Sequence, residues 1–231
     1  MSHVFAPPAA ASIPVAGSAD TFPVRRVYCV GRNYVEHAQE MGHSGREPPF
    51  FFTKPADSIV PVPEGETGRI AYPSLTKNFH HEIELVVALA KGGRDVRASD
   101  AAGLIWGYAV GLDMTRRDLQ NEAKKQGRPW CIGKAFDEAA PIGPLHAIKT
   151  TGELNKGAIT LRVNGQLKQK GDLADLIWNV GEIIEHLSAG WTLQPGDLIY
   201  TGTPAGVAAV VRGDLMEGEI AGLGTLRVQV A

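Results

Sequence analysis

Short apolar runs and segments of alternating apolar and polar residues dominate this chain, a pattern that predicts many short β-strands. Arg25–Gly31 is rich in β-branched and aromatic residues and ends at a glycine, which is typical of a strand. The apolar run Glu82–Ala90 predicts another strand. Asn164 and Gly165 stand between two alternating segments and predict a tight hairpin. After Gly196 the chain continues in short apolar stretches and Gly-rich turns, which predict further short strands.

Four segments carry helix signals instead. Asn33–Gly42 begins with a capping-box pattern and ends at a glycine. Ser99 resembles an N-cap, and a helical pattern follows it before merging into an apolar strand that ends at Asp113. Another helix is predicted from about Thr115 to Gly127. The last is predicted by apolar residues at helical spacing, namely Leu173, Leu176, Ile177, Val180, Ile183, Ile184 and Leu187.

The predicted elements are mostly strands, without a regular alternation of strand and helix. They therefore favour an α+β fold with a folded sheet core over a doubly wound sheet. A chain of 231 residues is long enough for one sizeable domain. Its first 23 residues are small and Pro-rich, without the basic and apolar regions of a signal peptide. We expect residues 1–23 to form an extended arm over a single domain of residues 24–231.

Composition excludes several classes of protein. Hydrophobic residues make up 44% of the chain and charged residues 21%, which is ordinary for a globular protein. The net charge of −2 predicts no binding to nucleic acid or to anionic membranes, and no apolar run is long enough to span a bilayer. Cys29 and Cys131 form no CxxC motif, so neither a disulfide framework nor a zinc ribbon is expected. A reducing cytoplasm is the expected location.

Three carboxylates stand at the ends of two predicted strands. Glu82 and Glu84 alternate with Ile83, so both point to the same face of a strand, about 7 Å apart. Asp113 ends the other apolar run. Like charges placed side by side repel unless a cation lies between them, and carboxylates without cysteine suit Mg²⁺ or Mn²⁺. The alternative is a solvated strand end that carries two surface glutamates.

Eight motifs follow one another along the chain, namely CVGRNYVEHAQEMG, FFTKPADSI, HHEIELVVAL, GYAVGLDMTRRDLQ, GKAFDEAAPIGP, LRVNGQLKQ, LQPGDLIYTGTPAGV and GLGTLRVQV. Their order resembles that of the fumarylacetoacetate hydrolase family. The resemblance runs from about Val24 to the C-terminus, and it is closest to the single-domain acylpyruvate hydrolase branch, with its bacterial fumarylpyruvate hydrolases.

The resemblance implies a strand-rich roll of mixed β-sheet with short peripheral helices, and a homodimer. It also implies one Mg²⁺ or Mn²⁺ ion held by Glu82, Glu84 and Asp113. The residues that it implies for catalysis are His37, Glu40 and Lys134. The residues that it implies for binding a 2-oxo acid substrate are Arg32, Lys54, Arg117, Gln120 and Thr203.

The chemistry of these residues suits the cleavage of a carbon–carbon bond in an acylpyruvate. The leaving group carries negative charge, which a metal ion can stabilise, and a 2-oxo acid can chelate that ion. His37 and Glu40 are three residues apart on a predicted helix, so Glu40 can orient His37 as the base that activates water. Alternatively, His37 is a surface histidine. Lys134 can pair with the substrate, or simply with Asp137.

Other polar side chains have alternatives as well. Arg117 and Gln120 are one turn apart and can face the site together, but Arg117 can also pair with Asp118 or Glu122 on its own helix. Thr203 could donate its hydroxyl to the substrate. Arg116 is an additional cation that could help to recognise a dicarboxylate, or it could face solvent. The four tryptophans are expected in the core: Trp106, Trp130, Trp178 and Trp191.

The leading hypothesis is a metal-dependent hydrolase of acylpyruvates that converts fumarylpyruvate to fumarate and pyruvate. A second hypothesis keeps the same metal site and changes the reaction to decarboxylation or keto–enol tautomerisation of a 2-oxo acid such as oxaloacetate. A third is a noncatalytic binding module that is stabilised by a cation. The third hypothesis gives no shared function to Lys134, Arg117, Gln120 and the His37–Glu40 pair.

Overall fold

The backbone is mainly β-structure. The computed structural model describes residues 3–34 and 46–231. The strands in this part of the chain are β1 Ser12–Pro14, β2 Thr21–Pro23, β3 Arg26–Gly31, β4 Phe50–Lys54, β5 Ile59–Pro61, β6 Thr67–Ile70, β7 Phe79–His80, β8 Ile83–Leu89, β9 Ile105–Leu112, β10 Thr115–Arg116, β11 Ala140–Ile142, β12 His146–Ala147, β13 Ala158–Val163, β14 Gln166–Asp172, β15 Asp197–Tyr200, β16 Leu215–Ile220 and β17 Gly224–Val230.

Helices are few and short. The α-helices of the described residues are α1 Arg117–Lys125, α2 Cys131–Lys134, α3 Ile148–Thr151 and α4 Val180–Gly190. The 3₁₀-helices are Ala56–Ser58, Ala98–Leu104 and Leu173–Asp175. Within the same residues, no helix is long and apolar enough to cross a membrane.

Two sheets carry the fold. The larger has eight strands in the order β4-β3-β15-β8-β9-β11-β5, with β12 paired to β9. The smaller has five strands in the order β14-β13-β16-β17-β6. Most neighbours are antiparallel, but β15 is parallel to β3, β11 to β5 and β17 to β6. The predicted α+β fold, a strand-rich mixed β-sheet roll with short peripheral helices, is confirmed.

Alternation along β8 sends side chains to two apolar clusters. Ile83, Leu85, Val87 and Leu89 join a cluster that also contains residues of the five-stranded sheet. On the opposite face, Val86 and Ala88 join a second cluster, together with Ile13 and Phe22 of the β1–β2 hairpin. Every residue of β8 is therefore buried. Glu84 is part of this strand, so its carboxylate is buried as well.

The helix predicted from Leu173 was wrong in its first half. Residues Leu173–Asp175 form a separate 3₁₀-helix, and α4 begins only at Val180. Each start has its own capping box, with Asp172 before the 3₁₀-helix and Asn179 before α4. These two side chains satisfy backbone N–H groups at two points, so the apolar spacing spans a break in the helix.

The other predicted elements agree with the structure more closely. The segment after Ser99 is a 3₁₀-helix, and α1 starts two residues after Thr115 because β10 pairs with β7. The Asn164–Gly165 hairpin is confirmed, and both residues have positive φ. The predicted helix Asn33–Gly42 lies mostly in 35–45, outside the described residues.

Strand β9, which leads to Asp113, packs tightly against β12. A Cβ atom on Gly107 would lie 2.0 Å from the carbonyl oxygen of His146. Only a glycine permits this approach, because the obstacle is backbone. Gly103, a few residues earlier, has no atom within 4 Å of the corresponding position.

We expect Gly107→Ala to lower the free energy of unfolding by about 2 kcal/mol or more, because β12 must move away from β9. Gly103→Ala is the matched control and should change the stability little. Urea unfolding of both variants measures the difference. Equal stabilities would show that the approach of β12 does not constrain the fold.

Candidate active site

The register of β8 and β9 brings the three predicted metal ligands together. The backbone N–H of Asp113 donates to the carbonyl of Glu82 at 2.8 Å, so these two residues lie opposite each other. Glu84 projects from the same face of β8. Carboxylate oxygens of the three residues lie within 4.8 Å of one another, and all three side chains are buried. The alternative of two surface glutamates was therefore wrong.

A backbone N–H from the turn after β15 holds Glu84. The N–H of Gly202 donates to Oε2 of Glu84 at 2.8 Å. Gly202 has φ +100°, and a Cβ atom there would lie 2.7 Å from Cβ of Asn33. Asn33 holds this turn, because its Nδ2 donates to the carbonyl of Thr201 at 2.8 Å. A glycine is thus required where the turn reaches Glu84.

Three cationic side chains contact the carboxylates. Nζ of Lys134 lies 2.7 Å from Oε2 of Glu82 and 2.6 Å from Oδ2 of Asp113. Nζ of Lys54 lies 2.8 Å from Oδ1 of Asp113. Arg117 pairs with Oε1 of Glu82. Lys134 is thus a buried lysine between two carboxylates, and the alternative pairing with Asp137 is wrong.

The protonation of the site follows from this arrangement. Burial, together with the nearby charges of Asp113 and Glu82, raises the pKa of Glu84 well above its usual value. Burial opposes the charge of Lys134, but Asp113 and Glu82 outweigh it and raise the pKa of Lys134. Lys134 is therefore charged at neutral pH. The surroundings of Glu84 are thus unfavourable for a negative charge.

The carboxylates fit a hard divalent cation. All three ligands supply oxygen, which Mg²⁺ and Mn²⁺ prefer. Oδ1 of Asp113 faces the ammonium of Lys54 at 2.8 Å and has no aligned hydrogen-bond donor among the described residues. Three carboxylates that are buried side by side are costly without further positive charge. An ion bound between Glu82, Glu84 and Asp113 would supply that charge.

Arg117 is held from both sides at the start of α1. Its Nη1 donates to Oε1 of Gln120 at 2.6 Å, and its Nε approaches Nδ1 of His80 at 3.4 Å. Burial and the charge of Arg117 lower the pKa of His80 to about 4. His80 is therefore neutral, accepts from Arg117 at Nδ1, and donates from Nε2 to Oδ1 of Asn78 at 2.7 Å.

The alternative role for Arg117, an ion pair within its own helix, was wrong. Asp118 instead accepts from Thr76 and from the backbone N–H of Lys77. Glu122 accepts from Gln126. The arginine is thus directed away from its own helix towards Glu82.

One pocket contains most of the predicted site. It is lined by Val30, Gly31, Arg32, Phe52, Glu82, Glu84, Asp113, Arg117, Gln120, Trp130, Lys134 and Thr203. Lys54 is buried and does not line the pocket, but its Nζ contacts Asp113 and donates to the carbonyls of Met114 and Lys134. His37 and Glu40 lie outside the described residues, so their placement stays a prediction.

The two candidate arginines differ in position. Arg32 lines the pocket with φ +56°, and its guanidinium lies 4.9 Å from the centre of the Phe50 ring. Its Nε, like that of Arg116, is buried without a hydrogen-bond partner among the described residues. Arg116 stacks on Phe136 at 4.3 Å, donates to the carbonyl of Ile132 and does not line the pocket. Arg32, which was predicted to bind the substrate, thus lines the pocket, whereas Arg116, the additional cation considered for a dicarboxylate, does not.

Two parts of the site were missed in the sequence, and the role predicted for Thr203 differs from its contacts in the structure. Trp130 was expected in the core, but it lines the pocket, where the centre of its ring lies 5.8 Å from the centre of the Phe52 ring. The backbone N–H of Gly202 was not foreseen as a partner of Glu84. The hydroxyl of Thr203 donates to the carbonyl of Ile83 at 2.7 Å, so the expected donation to a substrate does not match this arrangement. The aromatic run Phe50–Phe52 was the available signal for the apolar wall.

Comparison with known proteins agrees with this geometry. The C-terminal domain of fumarylacetoacetate (FAA) hydrolase matches residues 26–231. The crystal structure of a fumarylpyruvate hydrolase from Pseudomonas aeruginosa, in complex with Mn²⁺ and pyruvate, has a TM-score of 0.98 and 57% identity, covering 100% of this chain and 99% of that chain. A fumarylpyruvate hydrolase from Ralstonia sp is 48% identical over 188 residues, which are 80% of this chain and 93% of that protein.

A relative with a different name is also similar. The human mitochondrial oxaloacetate tautomerase is 38% identical over 206 residues, which are 89% of this chain and 91% of that protein. The matches cover nearly the whole chain, and they include the strands that carry Glu82, Glu84 and Asp113. The resemblance predicted from the eight motifs is confirmed, and the chain belongs to the fumarylacetoacetate hydrolase family.

Proposed function

We propose that this protein is a metal-dependent hydrolase that cleaves a carbon–carbon bond of an acylpyruvate, converting fumarylpyruvate to fumarate and pyruvate. The buried group of Glu82, Glu84 and Asp113, with Lys134 and Arg117 around it in one pocket, is the observation that carries the proposal. The similarity to two fumarylpyruvate hydrolases supports this substrate.

Mg²⁺ or Mn²⁺ is the proposed cofactor, held by Glu82, Glu84 and Asp113. Such an ion, when bound, supplies Lewis-acid stabilisation of the negative charge that the pyruvate unit acquires during cleavage. The complex of the Pseudomonas aeruginosa relative with Mn²⁺ and pyruvate supports both the ion and the 2-oxo acid.

The charge of the pocket suits a substrate with several negative charges. Arg32, Lys54, Arg117 and Lys134 are four cationic side chains that line or adjoin three carboxylates. With a divalent ion, the pocket has an excess of three positive charges. Fumarylpyruvate carries two carboxylates and gains a further negative charge as its carbon–carbon bond breaks. The substrate and its transition state would therefore neutralise this excess.

The residues of the chain would divide the remaining work. Lys134 holds its ammonium beside Glu82 and Asp113, where it can bind the carboxylate or the developing enolate oxygen of the pyruvate unit. Trp130 and Phe52 form an apolar wall that limits the access of water. His37, oriented by Glu40, is the proposed base that takes a proton from the attacking water. The spacing of three residues on a predicted helix supports this role.

Arg32 is the proposed partner of the distal carboxylate of the fumaryl group. It lines the same pocket, and its stacking on Phe50 fixes the guanidinium. Its buried Nε lacks a hydrogen-bond partner among the described residues, which leaves a donor for an incoming anion. The remaining substrate contacts are proposed for Gln120, which lies beside Arg117, and for Thr203.

A second candidate function is tautomerisation or decarboxylation of oxaloacetate at the same site. The similarity to the human oxaloacetate tautomerase favours it. Oxaloacetate is also a 2-oxo acid with two carboxylates, so the charge of the pocket suits it equally. The reactions of oxaloacetate differ from the hydrolysis of an acylpyruvate because they need no attacking water.

Domain organisation, assembly and location are proposed more briefly. The family match over 26–231 supports a catalytic domain of residues 24–231, preceded by residues 1–23 as an arm whose β1–β2 hairpin packs onto that domain. A homodimer and a cytoplasmic location are proposed from the resemblance to acylpyruvate hydrolases. Small 2-oxo acids are the proposed partners, with neither nucleic acid nor a membrane involved.

The central experiment is an assay of the purified protein with fumarylpyruvate, acetylpyruvate and oxaloacetate. With Mg²⁺ or Mn²⁺ we expect the loss of the enol absorbance of fumarylpyruvate, and chelation of the ion should abolish the activity. Asp113→Asn should lower kcat/KM by about 100-fold or more, since even the substitution of a residue that only supports a metal ligand can lower activity by that factor. Asp95→Asn, whose side chain is 73% exposed, is the control. Turnover of oxaloacetate alone would favour the second candidate, and no turnover at all would reject both.

Metal binding should release protons. Because the pKa of Glu84 is raised, this carboxyl holds a proton at higher pH than an ordinary glutamate, and the ion must displace that proton. We expect the affinity for Mn²⁺ to fall as pH falls, approaching about tenfold per pH unit below the raised pKa. Calorimetry in two buffers of different ionisation enthalpy counts the released protons. Glu84→Gln should release fewer protons, and an affinity independent of pH would contradict the prediction.

Arg32→Gln should separate dicarboxylic from monocarboxylic substrates. We expect KM for fumarylpyruvate to rise by about 10–100-fold, because a charge-assisted hydrogen bond is lost, while KM for acetylpyruvate stays unchanged. Arg116→Gln is the matched control, since this arginine lies off the pocket. An equal rise of KM for both substrates would assign Arg32 to the pyruvate end instead.

A further inference from the structure

The start of β8, which lies beside the metal ligands, is paired with β9 on one side but lacks a neighbouring strand on the other. Strand β15 pairs with β8 only from Val86 to Ala88. Nearer to the site, the turn after β15 and the side chain of Gln169 replace it. Thr201 donates through its backbone N–H and its hydroxyl to the carbonyl of Leu85, at 3.1 and 3.0 Å. Thr203 and Gln169 bond both peptide groups of Ile83, the residue between the two glutamate ligands.

Gln169 is at the centre of this arrangement. It comes from β14, the edge strand of the other sheet, and it is completely buried in a strand whose other residues are exposed or half-buried. Its Oε1 accepts from the N–H of Ile83 at 3.1 Å. Its Nε2 donates to the carbonyl of Pro204 and to Oγ1 of Thr203, both at 2.8 Å. A glutamine that is fully buried and makes all of these hydrogen bonds is uncommon in a protein core.

The partners of Gln169 fix the direction of every hydrogen bond. The N–H of Ile83 can only donate and the carbonyl of Pro204 can only accept, so the amide has a single orientation. Nδ1 of His81, 2.8 Å from Oε1, must therefore carry a proton and donate. Nε2 of Gln169 donates to Thr203, whose own proton goes to the carbonyl of Ile83. Thr203 thus offers the pocket a lone pair and no proton.

We propose that Gln169 is a positioning residue, which holds the segment Glu82–Glu84 at the correct distance from Asp113 and fixes Thr203 as a hydrogen-bond acceptor. The inference rests on the proposed metal site but not on the identity of the substrate. Loss of the amide removes the partner that the N–H of Ile83 and the carbonyl of Pro204 have among the described residues. The start of β8 then loses its substitute for a neighbouring strand, and the spacing of the glutamate ligands is no longer fixed.

The test is the affinity of the metal-free full-length protein for Mn²⁺, measured by calorimetry, with Gln169→Met as the variant. Gln166→Met, an exposed position on the same strand, is the control. We expect Gln169→Met to raise the Kd by about 10–100-fold and to reduce the increase in Tm on adding Mn²⁺, while the control matches the wild type. A lower Tm with an unchanged Kd would show that Gln169 only stabilises the core, and would overturn the proposal.

Thr203 provides a second route to the same answer if Gln169→Met does not fold. Thr203→Val removes the hydroxyl that links Gln169 to Ile83, and Thr203→Ser keeps it. We expect the valine variant to bind Mn²⁺ about tenfold more weakly and the serine variant to bind it as the wild type does. Where all variants fold, Gln169→Met can be combined with Thr203→Val. The double variant should bind Mn²⁺ no more weakly than the single variant with the lower affinity, because the two side chains act together. Equal affinities of the valine and serine variants would overturn the proposal.

Wild-type protein that binds no Mn²⁺ would remove both the proposed metal site and this inference. Wild-type protein that binds Mn²⁺ but hydrolyses no acylpyruvate would leave the inference supported, provided that Gln169→Met weakens the binding. The failure of the proposed reaction and the failure of the proposed positioning role are thus distinguishable.

Discussion

Three carboxylates buried beside one another repel, and the rest of the site compensates for that repulsion. Lys134 lies between Glu82 and Asp113, Lys54 lies behind Asp113, and Arg117 pairs with Glu82. Glu84 has a backbone N–H but no direct cation among its described contacts. The resulting excess of negative potential at Glu84 is what a divalent ion would neutralise. The cationic side chains then become available to an anionic substrate.

The fold supplies this constraint through strand register. Pairing of β8 with β9 places Glu82 opposite Asp113, and alternation places Glu84 on the same face. The apolar residues between them point into the cluster shared with the smaller sheet, so a shift of register would put carboxylates into that core. The positions of the ligands and the packing of the core are therefore specified by the same pairing.

Local patterns in the sequence predicted much of this arrangement. Alternation at 82–84 and the apolar run ending at Asp113 predicted carboxylates at strand ends, and the family resemblance favoured a ligand group over surface glutamates. The Asn164–Gly165 turn was enough to predict the hairpin. Contacts between distant segments could not be predicted in this way. Gln169 meets Ile83 across 86 positions, and Lys54 meets Asp113 only because β4 lies in the same sheet as β9. The prediction of a helix beginning at Leu173 failed because Asn179 caps a helix that starts at Val180, although the apolar spacing continues through this point.

The acidic floor of the pocket, formed by the three carboxylates, and its rim, which includes Arg32 and Trp130, come from different kinds of structure. Glu82, Glu84 and Asp113 belong to or directly flank paired strands, whereas Arg32 and Trp130 lie in the connections after β3 and before α2. Replacements in those connections leave the strand pairing intact. Evolution can therefore exchange the groups that select an acyl chain while it retains the acidic floor. A shared fold whose relatives are named for different 2-oxo acid reactions is the expected result of such a separation.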